Sequence, residues 1–381
     1  MENIYKNGKF LLTDKRYTPI RWRTPDAMQY DIFQDGTPSA CRDKDGTLWM
    51  ICGHERVGHI HMLRGTCMDD LQEAWKCKLN FSVGHADFAF NGIRYPEGVK
   101  ARGSVWPLGL YICPKTNRFF AFVHNETCWS GQGLGYDALG YSDQPRFDSD
   151  FRHVGLMHSD DQGQNWTFDR WILTSEHVCF TEQFNPNGDC MIGQQGKLVR
   201  LGNGETSVYV EGEFIYLFYE ILTVNIETGK WESSEQYVAR SRIRYDGTMA
   251  DFIKYYNGSF CEPGNFGKET PILKDTWHGR VMYSKKHEQY LISYTRFEQE
   301  KAGKGGMFGG TVEIRTSKDM FTWSDPIQLT YEDKPLQAHY TFIMPDDKIN
   351  APYVLEDDEF SVLAIDKGTA MRYTAKFLKE E

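Results

Sequence analysis

The chain has 381 residues, 40% of them hydrophobic and 25% charged, with a formal net charge of −10. That acidic balance comes without blocks of like charge and argues against a nucleic-acid surface. No apolar run is long enough to cross a membrane as a helix, so no membrane partner is expected.

Repeats organise the chain from its first third onward. Five runs share one pattern, a polar turn followed by aromatic and aliphatic residues: LWMICG from Leu48, FFAFVH from Phe119, FIYLFY from Phe214, YLISYT from Tyr290 and FSVLAI from Phe360. Each follows a second short apolar segment, in order PSACR, WPLGLYI, TSVYV, RVMYS and APYVL. The pairs predict hairpins with turns at Asp45-Gly46, Lys115–Asn117, Glu211–Glu213, Lys285–Gln289 and Glu356–Glu359. Between the second and third lies an insertion over residues 131–150, rich in Gly, Tyr and Asp, which reads as a surface loop. A second signature is Ser159, Asp161, Gly163, Trp166, repeated as Ser317, Asp319, Trp323, with echoes at Ser241 and at Asp69, Asp70 and Trp75. Ser, Asp and Gly make a tight turn, and the Trp packs over it; such turns lie on the rims of propeller blades. Repeats of about 70 residues with four strands each fill the chain. The expected fold is all-β, a single five-bladed β-propeller domain over residues 1–381. A six-bladed propeller and two β-sandwich domains are the competing arrangements, and the regular hairpin spacing disfavours the sandwich.

Nine cysteines, an odd number without CxxC pairs, read as buried thiols rather than a disulfide framework. The opening MENIYKNGKFLLTDK shows no apolar signal segment. Both point to a cytoplasmic location, although a trimmed secreted chain would look the same. Oligomeric state is not legible.

In a propeller, residues just before each inner strand and just after its hairpin partner share one face. The first set contains Asp35, Arg102 to Trp106, Glu205, His278 and Asn350. The second contains His54-Glu55-Arg56, His124-Asn125-Glu126, Tyr219-Glu220, Arg296 with Glu298, and Asp366. Both sets are rich in ionisable residues converging on one axis, the pattern of a binding or catalytic pocket. The cluster His124, Asn125, Glu126 with Trp129 offers an imidazole, an amide, a carboxylate and a ring, a combination suited to polyol recognition. His54, Arg56, Trp106, Glu220 and His278 join it as substrate-binding candidates. Spacing of the HExxH or CxxC kind is absent, so neither a metal nor another cofactor is expected. Gly131, Gly133 and Gly135 lack the strand-to-helix frame of a nucleotide loop.

The segment from Asp35 to Trp49 resembles the opening of five-bladed glycosidases, the family 43 arabinofuranosidase and xylosidase group above all, in which an Asp before a Pro is the general base. The segment from Gly204 to Tyr219 is similar to their third blade, whose Glu is the general acid. Trp106-Pro107 and Trp277-His278-Gly279 resemble blades two and four, and the Ser/Asp/Gly/Trp turn is equally at home in sialidases. Two departures stand out: Gly36-Thr37 intervenes between Asp35 and Pro38, and no Asp follows Trp106-Pro107. The resemblance implies a hydrolase of a terminal sugar on an oligosaccharide or glycan. Asp35 and Glu205 would be its catalytic pair; Glu262, in the turn-rich run from Asn257, is a reserve candidate for the acid or for substrate binding. Glycosidic cleavage needs one protonated carboxyl and one ionised carboxylate across the bond, and a pair on non-adjacent blades suits the wider gap of inversion. Two other readings compete. A propeller polysaccharide lyase would recruit His124, Tyr219 and Arg56 against a uronate; a carbohydrate-binding propeller would use only the aromatics.

Overall fold

The computed structural model describes residues 8–17, 36–55, 59–81, 104–126, 152–176, 198–225, 228, 230–299, 310–345, 353–366 and 369–379. Asp35, Arg56, Trp129, Asn350 and the 131–150 insertion lie outside them.

The described residues hold strands and no helix. Strand β1 (Gly8–Tyr17) is followed by an antiparallel unit of β2 (Ser39–Arg42), β3 (Leu48–His54), β4 (His59–Gly65) and β5 (Gln72–Lys76). The two-residue β6 (Lys78–Leu79) crosses to the outer edge of the next unit, which comprises β7 (Ser104–Ile112), β8 (Phe119–Glu126), β9 (Arg152–Ser159) and β10 (Asn165–Thr174). The third unit adds β11 (Leu198–Arg200) to β12 (Gly204–Glu211), β13 (Phe214–Asn225), β14 (Lys230–Arg242), β15 (Ile253–Tyr256) and β16 (Ser259–Pro263). After β17 (Leu273–Lys274), the fourth runs through β18 (Thr276–Ser284), β19 (Gln289–Arg296), β20 (Gly310–Ser317) and β21 (Ile327–Tyr331), with short β22 (Lys334–Pro335) and β23 (Gln337–Ala338) beside it. The last consists of β24 (Tyr340–Pro345), β26 (Glu359–Asp366) and β27 (Thr369–Lys379), with β25 (Val354–Leu355) intervening in sequence. Its fourth strand is β1, antiparallel to β27 with Phe10 opposite Phe377. The same strand runs parallel to β21, so the fourth and fifth units share one continuous sheet.

The inner hairpin strands feed two cores, which explains why the runs read as continuous hydrophobic stretches rather than alternations. In β8, Phe119, Ala121 and Val123 pack toward the first unit with Trp49, Ile51 and Met62. Phe120 and Phe122 pack the other way, with Val208, Leu217 and Tyr219 of the third. Further cores join the third unit to the fourth and the fourth to the fifth. A last one joins Tyr340, Phe342 and Met344 of the fifth to Ala40, Leu48 and Met50 of the first. Packing therefore closes on itself, and the described strands form a β-propeller. At the axis, Arg280 Nη2 donates to Thr37 O and Pro38 O (both 2.9 Å) and to Leu108 O (3.1 Å), tying the inner strand of the fourth unit to the first and second.

The first four hairpins turn at the expected places. The fifth does not, because APYVL is not the partner of the Phe360 run. That partner is β24, with Tyr340 opposite Ile365, whereas Val354 and Leu355 pair in parallel with β18. An apolar segment adjacent in sequence outscored one separated by an excursion. The rim turns form as expected: Ser159 Oγ accepts the Gly163 amide at 2.9 Å, Asp161 accepts the Asn165 amide at 2.9 Å, and Trp166 is buried. In the second copy Met320 takes the left-handed position at φ 67°. The six described cysteines are free thiols; Cys41, Cys52 and Cys113 are buried as expected, Cys67 and Cys77 only partly, and Cys261 is exposed.

Candidate active site

At one end of the ring, three inner strands break register at similar depth: β7 between Pro107 and Gly109, β12 between Gly204 and Ser207, and β18 between Trp277 and Arg280. A bulge re-aims the side chain it carries. Two of these bulges place Glu205 at φ 50° and His278 at φ 58°. Left-handed backbone is uncommon outside glycine, is kept only where surroundings enforce it, and clusters at functional sites. The two side chains meet, with His278 Nδ1 3.2 Å from Glu205 Oε2. The same nitrogen is 3.9 Å from Glu220 Oε2, and the His278 amide donates to that Glu220 oxygen at 2.9 Å.

Glu220 lies on β13, directly across from Gly204. Burial, and then the neighbouring Glu205 carboxylate, push its carboxyl well above the ordinary range, as expected for like charges out of water. Below the pair sits Arg280, pushed down by burial to about 9 and so still charged at neutral pH.

A second chain of contacts supports Glu205 from the second unit. Its amide donates to His124 Nδ1 at 3.2 Å. Since Nδ1 accepts, the ring carries its proton on Nε2, 3.0 Å from Glu126 Oε1. Arg152 Nη2 holds that same carboxylate oxygen at 2.9 Å. This approach requires glycine at 204, where a Cβ would lie 2.5 Å from His124 Cε1. On the other flank, Gly36 comes so near that a Cβ on it would lie 3.4 Å from Glu205 Oε2.

Aromatic rings wall the site. Trp106 stacks on His54 at 4.1 Å and meets His124 edge-on at 5.3 Å. His278 packs against His339 at 4.9 Å and Tyr340 at 4.7 Å. His54, Trp106 and His124 are buried, so in this state they form the wall rather than an open platform.

The structure thus brings together Glu205, Glu220, His278, His124, Glu126, Trp106 and His54. It does not bring Tyr219 or Glu262 to them. The Tyr219 hydroxyl donates at 2.8 Å to Glu269, in a separate buried network where Lys254 pairs with Glu269 at 2.8 Å; it is unavailable for the lyase role. Glu262 lies on β16, the outermost strand of the third unit, and accepts the Lys268 amide at 3.1 Å. Arg296 is engaged with Glu298 and Glu313.

Sequence reasoning missed Arg152, Arg280 and His339. Arg152 stands directly opposite Glu126 in the β8–β9 ladder, but the long intervening segment hides that register. Arg280 was readable as a charge inside the apolar run TWHGRVMYS. His339 was lost with the misassigned fifth hairpin. Among the described residues no group of His, Cys, Asp and Glu is arranged to hold a metal ion.

No known family profile matches this chain, and no curated protein matches it. Solved structures similar to it include an inulosucrase from Halalkalicoccus jeotgali bound to kestose, at 10% identity over 93% of this chain and 80% of that one, TM-score 0.47. Another is a family 43 β-1,3-galactosidase with galactodeoxynojirimycin, at 14% identity over 94% of each chain, TM-score 0.45. A third is the exo-β-1,3-galactanase of Phanerochaete chrysosporium, at 8% identity and TM-score 0.45; this chain, 95% covered, spans 64% of its length.

Proposed function

We propose that the protein is a glycoside hydrolase acting on a terminal sugar of an oligosaccharide or glycan, with Glu205 as the general acid. The observation that carries this reading is the pairing of Glu205 with Glu220 across His278 Nδ1, with Glu205 on strained backbone. Two carboxyl groups that flank one imidazole nitrogen in a shielded site influence each other's protonation, and their titration belongs to the pair. Glu205 is the more exposed member, at 11% against 6%, and delivers the proton to the leaving oxygen. Asp35, next to Gly36 in the chain, takes a proton from the attacking water as it bonds to the anomeric carbon on the opposite face. The glycosidic bond breaks to the leaving oxygen, and the sugar departs with inverted configuration. His124, Glu126 and Arg152 act as positioning residues, holding the Glu205 backbone from behind.

The test is a panel of oligosaccharides assayed for released reducing sugar. On a substrate that is cleaved, Glu205→Gln and Asp35→Asn each lower turnover by roughly 10²–10⁴-fold, the usual contribution of a general acid or base. Near wild-type rates in both variants would overturn the assignment. A product with an unsaturated, ultraviolet-absorbing end would replace the hydrolase with a lyase, and binding without any product would leave a lectin-like propeller.

A further inference from the structure

The opposite end of the ring carries a cavity of about 830 Å³, lined by the hairpin ends of the inner strands. From Glu205 to Val210 along β12 is roughly 17 Å at the rise of an extended strand, and Arg280 and Tyr353 stand between the two ends, Tyr353 donating to Leu110 O at 3.1 Å. This cavity is therefore separate from the candidate active site. Its volume falls in the range of small-molecule pockets.

Its charge runs against that of the molecule. The chain as a whole is at −10, yet Arg42, Lys115, Arg242 and Arg244 line the cavity against one carboxylate, Glu213. Glu213 is already paired with Arg242 at 2.8 Å. Arg42 is held in the wall by Gly46 O and Thr66 O, at 2.7 and 2.9 Å. Arg244 is oriented by Met249 O at 2.7 Å through Nη1 alone. Asp246, in the same turn, offsets Arg244 in part but is turned to Thr248 at 2.7 Å and lies outside the lining. Lys115 makes no ion pair among the described residues; its ammonium stands 4.8 Å from the centroid of Tyr245, a ring 89% exposed. An exposed aromatic ring beside two cations that make no salt bridge among the described residues, over an aliphatic wall at Val210 and Ile243, matches an organic body bearing negative charge.

We propose that this cavity binds a small organic anion, a ring of sugar size carrying a phosphate, sulfate or carboxylate group. The anionic group sits between Lys115 and Arg244, and the ring lies against Tyr245. The proposal is independent of the glycosidase reading.

Calorimetric titration of the full chain tests it, with glucose 6-phosphate, glucose 6-sulfate and glucuronate as probes and glucose as the uncharged control. At least one anionic probe binds at millimolar concentration while glucose does not; the ranking of the three identifies the anionic group. Affinity falls as salt is raised. Lys115→Gln, an exposed change with no packing cost, weakens binding roughly tenfold, and Arg244→Gln does the same. Glu205→Gln leaves it unchanged. Absence of binding by all three anions, binding insensitive to both Lys115→Gln and Arg244→Gln, or binding lost in Glu205→Gln would each overturn the proposal.

Discussion

Glu220 carries an electrostatic cost at the candidate site, because it is buried beside a second carboxylate with the His278 amide as a compensating donor. Its folded-state pKa is raised above that of the unfolded chain. Between the two values the folded state binds more protons, so stability falls as pH rises through that window. The loss amounts to about 1.4 kcal/mol for each pH unit of the window that is crossed. Glu220→Gln keeps an acceptor for the His278 amide and removes the titration. Its melting temperature should therefore exceed that of the parent at pH 8, with the advantage shrinking toward pH 4. Parallel melting curves across that range would show that Glu220 is not held neutral by the fold. Of these residue-level features, the convergence of Glu205, Glu220, His124, Glu126 and His278 at one end of the ring was legible from strand-end position alone. Their roles were not. Sequence position makes His124 a substrate ligand, whereas both its ring nitrogens are engaged, by Glu126 and by the Glu205 amide.

Bulges in the inner strands do the aiming, and they were invisible in the sequence because a pattern of apolar residues buried on both faces carries no period to interrupt. The same property explains the misassigned fifth hairpin, where APYVL and YTFIMP look equally strand-like. It is the bulge in β12 that puts Glu205 at φ 50°, at a cost on the order of 1 kcal/mol. Asn tolerates left-handed backbone better than Glu. Glu205→Asn should therefore raise stability by about 1 kcal/mol while abolishing turnover, a trade seen where function and stability compete. Equilibrium denaturation at pH 7 measures the first effect and the glycan assay the second. A destabilised Glu205→Asn would mean that Glu205 is held for structure, through contacts that outweigh the strain.

Closure of the ring depends on a strand taken from the far end of the chain. Five cores link the units in a cycle, and β1 completes the last unit while also bridging to the fourth. The hairpin repeat, and with it the propeller, was legible in the sequence, since turn chemistry and apolar runs recur at regular intervals. The closing role of residues 8–17 was not, because nothing local in GKFLLTDKRY specifies a partner more than 300 residues away. Phe10 is the anchor of that strand: it is 1% exposed and lies 5.4 Å from the rings of both Phe360 and Phe377. Phe10→Ala removes a fully buried aromatic, at about 3–5 kcal/mol. Because each unit packs on two neighbours, that loss should be felt by the whole ring. Urea unfolding should keep a single transition whose midpoint moves down, with tryptophan fluorescence and far-ultraviolet dichroism coinciding. Of the described tryptophans, Trp49, Trp75, Trp106, Trp166 and Trp171 lie in the first two units and Trp231, Trp277 and Trp323 in the third and fourth, so the fluorescence is weighted toward the part of the ring away from the mutation. If the fluorescence transition stayed in place while part of the dichroism melted early, the first and second units would be stable without closure. The ring would then be a chain of independent neighbours rather than one cooperative structure.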